Sequence, residues 1–189
     1  MIAAMDELRS LEALVERRRT NLRIDPERPV PVELLERLCR LATWAPNHKR
    51  TWPWRFVALV GDARARLGEV LAAHEEARGA RPEKVAKLRG KYLRAPLMLA
   101  VASAADPDPL RHRENRDSVT AGVQNLLLGA TAAGLASYWG TGAVVEAPEV
   151  RELCGLDPDD QLVALLYLGW PIGDVPVPER PSPDLRVIS

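Results

Sequence analysis

The chain has 189 residues, enough for one domain with a substantial interior. Apolar residues make up 47% and charged residues 28%, a globular balance that excludes a disordered chain. Lys plus Arg and Asp plus Glu both number 26, so the formal net charge is zero and no overall field favours nucleic acid or an anionic membrane.

Leu8, Leu11, Leu14 and Val15 recur at helical spacing and predict a first helix over residues 6–18. A second is expected from Pro31, with Leu34, Leu35, Leu38, Leu41 and Ala42 on one side. Proline suits its first turn because the missing N–H would be unpaired there. Pro46 ends it, since the residue before proline is pushed out of the α region. Residues 54–60 are aromatic and β-rich, are closed by Gly61-Asp62, and read as a strand. Two charged helices follow over 63–78 and 83–94, joined at Gly79-Ala80-Arg81-Pro82. Residues 97–102 read as a buried strand, and Asp106-Pro107-Asp108-Pro109 as a loop.

The helix expected over 117–133 is rich in small residues, among them Ala121, Gly122, Gly129 and Ala130. Such residues let another helix or a flat ligand approach the backbone. Residues 136–139 form a candidate strand before Gly140-Thr141-Gly142. A short helix from Pro148 leads to Gly155, and 161–168 is an apolar strand. Residues 171–189 hold five prolines and read as an extended tail without a core of its own, suited to packing on a partner subunit. The order describes a single domain over 1–189, an α+β or α/β sandwich around one sheet.

Several chemistries lack their residues. His48, His74 and His112 have no second ligand at useful spacing, apart from a weak His112–Glu114 pair, so no metal site is expected. His74 and His112 are expected to be solvated. Cys39 and Cys154 form no C-x-x-C pair and read as buried free thiols in a reducing compartment. Asp6 and Glu7 argue against a secretory signal, and no apolar run is long enough to span a bilayer. A cytoplasmic protein is expected. The nucleophile elbow, the Rossmann fingerprint and the P-loop are all missing, so no catalytic nucleophile is assigned.

Three segments remain. Arg17-Arg18-Arg19-Thr20, with Arg23 nearby, is either a helix C-terminus whose cations complement the dipole or a phosphate site. The proline-bounded run from Ala45 to Trp54 is either a structural corner or a ligand loop. Tyr138-Trp139-Gly140-Thr141-Gly142 is either a tight turn or a stretch of backbone N–H groups open to an anion or carbonyl. The mixed charges over 64–94 read as a solvated helical face.

In register along the chain, these segments resemble the nitroreductase family, especially its short bacterial members. Arg18-Arg19-Thr20 is similar to the family's opening R-R-[ST] motif. Ala45-Pro46-Asn47-His48-Lys49 with Pro53-Trp54 resembles its A-P-[DS]-x-K and Q-P-W segment. Arg94-Ala95-Pro96-Leu97, Ala121-Gly122-Val123-Gln124-Asn125, Trp139-Gly140-Thr141-Gly142 and Leu166-Tyr167-Leu168-Gly169-Trp170-Pro171 continue the match. The resemblance implies an α+β three-layer sandwich, with a central, mostly antiparallel sheet flanked by helices, in an intertwined homodimer that holds FMN between subunits. On that basis Arg18, Arg19 and Thr20 contact the phosphate and ribityl chain. Trp44 and His48 reach the flavin from the other subunit, and Trp139, Gly140 and Thr141 line its ring. Arg151 is a further candidate for an anionic end of the cofactor.

The implied reaction passes a hydride from NADH or NADPH through FMN to a small-molecule acceptor such as a nitroaromatic or quinone. Two alternatives stand beside it: the same fold with a dehalogenating or flavin-cleaving reaction, and a non-enzymatic flavin-binding module. One departure is marked: Trp52 stands where the family carries glutamine. Trp44 likewise stands where the closest relatives tend to carry arginine.

Overall fold

The computed structural model describes residues 2–188. In chain order it contains α1 (Ile2–Arg17), α2 (Val32–Ala42), β1 (Trp54–Val60), α3 (Asp62–Ala77), α4 (Pro82–Lys91), β2 (Leu97–Ser103), α5 (Pro109–Ala132), β3 (Ala136–Gly140), α6 (Ala143–Glu146), α7 (Pro148–Leu153) and β4 (Gln161–Gly169). The four strands make one sheet in the order β1-β2-β4-β3, with every pair antiparallel.

β2 and β4 lie in the middle, covered on both faces, which is why both are nearly continuous apolar runs. Strand alternation then sorts their side chains. Leu97, Leu99 and Val101 pack on the face of α2 and α5, while Met98, Ala100 and Ala102 pack on the face of α3, α4, α6 and α7. The result is a three-layer α+β sandwich. Between Val101 and Ala102 the register against β4 skips Val163, a β-bulge that turns the alternation of β4 by one residue.

α2 and α5 approach closely. A Cβ on Gly122 would stand 2.5 Å from the carbonyl oxygen of Ala42 and 2.7 Å from the indole nitrogen of Trp54, so only glycine fits there. After α1, the chain runs along the outer edge of β3. Thr20 bridges Ser137 in parallel, and the Asn21 N–H donates to the Ser137 carbonyl at 2.9 Å. Ile24 bridges Pro171. The outer edge of β1 has no strand partner among the described residues.

Some bounds differ from expectation. α5 begins at Pro109 and not at 117, because the Asp108 carboxylate caps it by accepting from the Leu110 N–H at 2.8 Å, with Pro109 in the first turn. The helix expected over 83–94 ends at Lys91, and a 3-10 turn takes up Tyr92–Arg94. Another 3-10 turn, His48–Arg50, and the single-turn α6 were not foreseen.

Candidate functional site

Arg18, Arg19 and Thr20 leave the C-terminal end of α1, and the Thr20–Ser137 bridge fixes them beside β3. Arg18 and Arg19 are half-buried, and Thr20 is exposed. Arg18 and Arg19 border a cavity of about 450 Å³ that Glu16 of α1, Gln124 of α5 and Val177 and Arg180 of the tail also line, with Thr20 next in the chain and outside the lining. A wider groove of about 830 Å³ adjoins it, sharing Arg19 and Val177 and passing Asn21, Leu135 and Gly173.

Burial, then repulsion from Arg180 and from Arg19, pulls the Arg18 guanidinium below its ordinary value. Among the described residues, none of these three arginines has a carboxylate within 4 Å. The Arg19 Nε is buried without a partner, while its Nη1 donates to the Arg18 carbonyl at 2.7 Å. Three converging guanidinium groups outnumber Glu16, the one acid of the cavity, and an anion with several oxygens relieves their repulsion. Sequence reasoning missed Arg180 and Gln124. A lone cation in a proline-rich tail and one amide on a long helix carry no local signal.

Trp139 and Gly140 end β3 on the same margin. Trp139 is half-buried against the α2–α5 side, and its indole N–H is buried without an acceptor. Gly140 is buried, with room for a Cβ only 3.1 Å from the Leu165 carbonyl. Thr141 is exposed just before Gly142, whose φ of 83° turns the chain into α6.

Trp44 and His48 fall elsewhere, in the loop between α2 and β1. Trp44 is 80% exposed, and His48 opens the exposed 3-10 turn. β1 and β3 are opposite margins of the sheet, three strand spacings or about 14 Å apart. One subunit therefore does not bring Trp44 and His48 to Arg18, Arg19 and Thr20.

The loop itself is tied to α5. Asn47 Nδ2 donates to Thr51 Oγ1 at 3.0 Å and to Ser118 Oγ at 3.3 Å, and Asn47 Oδ1 accepts from the Trp52 N–H at 3.0 Å. The Thr51 hydroxyl donates to the buried Asn115.

Arg151 lines a separate cavity of about 480 Å³ with Pro148, Glu149, Glu152 and Leu156, and does not border the Arg18 cavity. His74, expected to be solvated, corrects that reading. Its side chain is 15% exposed and its Nδ1 lies 2.9 Å from Glu149 Oε2, joining α3 to α7. His112 is half-buried, its Nδ1 facing the Asp106 N–H at 3.4 Å. Arg23 anchors the tail, its Nη1 donating to the Asp174 carbonyl at 3.1 Å beneath Gly173. Cys154 is buried and Cys39 half-buried, and burial pushes each thiol up to about 11. Among the described residues there is no cluster of three His, Cys, Asp or Glu side chains able to hold a metal ion, and no helix long and apolar enough to cross a membrane.

Comparison with known proteins agrees with the fold. The model of the nitroreductase family matches residues 15–170. YdjA of Escherichia coli (strain K12), provisionally named an NAD(P)H nitroreductase, is 33% identical over 164 residues, 86% of this chain and 88% of its own. A nitroreductase-like family protein from Bacillus cereus superposes with a TM-score of 0.81 at 27% identity, over 93% of this chain and 94% of its own. Iodotyrosine deiodinase, solved with FMN and 3-iodo-L-tyrosine, superposes with a TM-score of 0.75 at 25% identity, over 95% of this chain and 99% of its own.

Proposed function

The chain belongs to the nitroreductase family, and from that premise we propose that it is an FMN-dependent oxidoreductase working as a homodimer. Its reaction takes a hydride from NADH or NADPH and passes it to a nitroaromatic, quinone or similar acceptor. The observation that carries this reading is the group of Arg18, Arg19 and Arg180 around one cavity at the β3 margin, where Glu16 is the single acid in the lining and forms no ion pair with them. When bound, FMN supplies the hydride exchange, which no side chain could provide.

The protein binds and orients. Arg18, Arg19 and Arg180 hold the phosphate, and the exposed Thr20 hydroxyl adds a donor beside them. The open backbone of Gly140 and Thr141 meets the ring's polar edge, and Trp139 flanks it. Trp44 and His48 from a second copy close the site. Arg151 is left out of this set because its cavity is separate.

The surface supports pairing. Leu8, Leu11 and Val15 of α1, and Val177, Leu185, Val187 and Ile188 of the tail, are all exposed. A second copy would take this apolar area out of water. No proton-transfer residue is assigned.

The test is spectroscopic. Purified protein should carry a yellow chromophore released as FMN on heating, and anaerobic NADH or NADPH should bleach it in stopped flow. A colourless protein that takes up no added FMN overturns the proposal. The likeness to iodotyrosine deiodinase favours one second reading, reductive dehalogenation. Turnover of 3-iodo-L-tyrosine without turnover of a nitro compound would select it.

A further inference from the structure

The loop before β1 holds an unusual backbone. Lys49, Arg50 and Trp52 have φ of 60°, 53° and 51°, the left-handed region, although none is glycine. That region is unfavourable for any residue with a Cβ, and more so for a bulky one. The polar ties of Asn47 and Thr51 to Ser118 and Asn115 keep the loop there. Strain retained in this way marks places where a side chain is held for use and not for packing.

The side chain held out is Trp52, 61% exposed, although Trp54, whose ring centre is 6.3 Å away, is buried. Three residues on, Arg55 Nη1 donates to the backbone carbonyls of Trp52 at 3.4 Å and Trp54 at 3.1 Å, which ties the guanidinium to the backbone that carries Trp52. Among the described residues no carboxylate lies within 4 Å of Lys49, Arg50 or Arg55.

An exposed indole and a cation without a carboxylate partner, tied to the same stretch of backbone, match a planar aromatic ring bearing a carboxylate. The ring stacks on the indole, and the carboxylate meets the guanidinium fork. A subunit interface fits less well, because interface centres are poor in charged groups. We propose that Trp52 and Arg55 form the substrate-selecting edge of the site, recognising aromatic carboxylates, with Trp52 the specificity-determining residue where the family carries glutamine. Trp52 lies on the same loop as Trp44 and His48, and Arg55 at the start of the strand that follows, so in the homodimer the edge travels with them to the shared cavity. For turnover, though not for binding, the proposal rests on the oxidoreductase reading.

The test uses the full-length protein as purified and two probes, 4-nitrobenzoate and neutral 4-nitrobenzyl alcohol, with affinities measured by calorimetry. Wild type should bind the carboxylate about tenfold more tightly than the alcohol, the scale of one charge-assisted contact. Arg55→Met should abolish that preference and leave the alcohol unchanged, while Arg55→Lys keeps part of it. Trp52→Gln should weaken both probes, and Trp52→Phe should retain them. In steady state these losses should appear in KM with kcat kept.

Equal affinity of wild type for the two probes, or an unchanged affinity in Trp52→Gln, overturns the proposal. So does a change of oligomeric mass in Trp52→Gln, which would make the indole an interface residue. Normal flavin reduction without discrimination defeats the edge alone. Discrimination in a protein that neither NADH nor NADPH reduces defeats the oxidoreductase reading and leaves the edge standing.

Discussion

Arg18 faces Arg180 and Arg19 and none of the three is ion-paired, so removing one charge should loosen a ligand without weakening the fold. Arg18→Ala and Arg180→Ala are each expected to weaken FMN binding by about 10- to 100-fold, the range of a lost hydrogen bond to a charged group, with the melting temperature of the flavin-free protein unchanged or raised. Fluorescence titration and thermal unfolding measure the two effects. Only half of this pair was legible in the sequence. Arg18 sits in a recognisable arginine-threonine run, whereas Arg180 reaches it only because the tail folds back past Val177. The His74–Glu149 contact was hidden for the same reason, since it joins residues 75 apart. Left-handed Trp52 was hidden too, because no glycine marks the loop. Gly122 makes a sharper residue-scale case. A methyl group there meets the Ala42 backbone, which cannot rotate away, so Gly122→Ala should cost about 1–3 kcal/mol, read as a lower urea midpoint.

The α3–α4 pair depends on a contact that pH can test. Glu75 is 7% exposed, and Lys84 Nζ reaches its carboxylate at 2.6 Å. The hydrogen bond from Lys84 outweighs burial and holds the Glu75 carboxyl below its usual 4.5. A lowered carboxyl value means that the folded chain favours the ionised form. Its stabilising contribution is therefore complete above about pH 4.5 and fades as pH falls through the lower folded value. Lys84→Met should move the acid-unfolding midpoint to higher pH by circular dichroism, because Glu75 would then be buried unpaired. Helix periodicity made most elements legible, since their buried stripes recur as the packing requires. The start of α5 was not, as its first turns are polar and only the Asp108 cap announces them.

At the scale of the molecule, the sequence revealed a single sheet because β2 and β4 are almost wholly apolar, but their adjacency joins strands about sixty residues apart and left no local trace. Pairing of two copies should give a solution mass of twice the 20.9 kDa of one chain by light scattering. Deleting residues 176–189 should lower that mass and strip the flavin together, because the segment supplies both exposed apolar side chains and Arg180. The Thr20–Ser137 bridge bears on assembly in another way. It pairs the middle of the β3 margin with the chain's own backbone, whereas the β1 margin has no strand partner among the described residues. Strand addition under partial denaturation should therefore start at β1, and a charge placed there, Val60→Lys, should slow aggregation followed by light scattering.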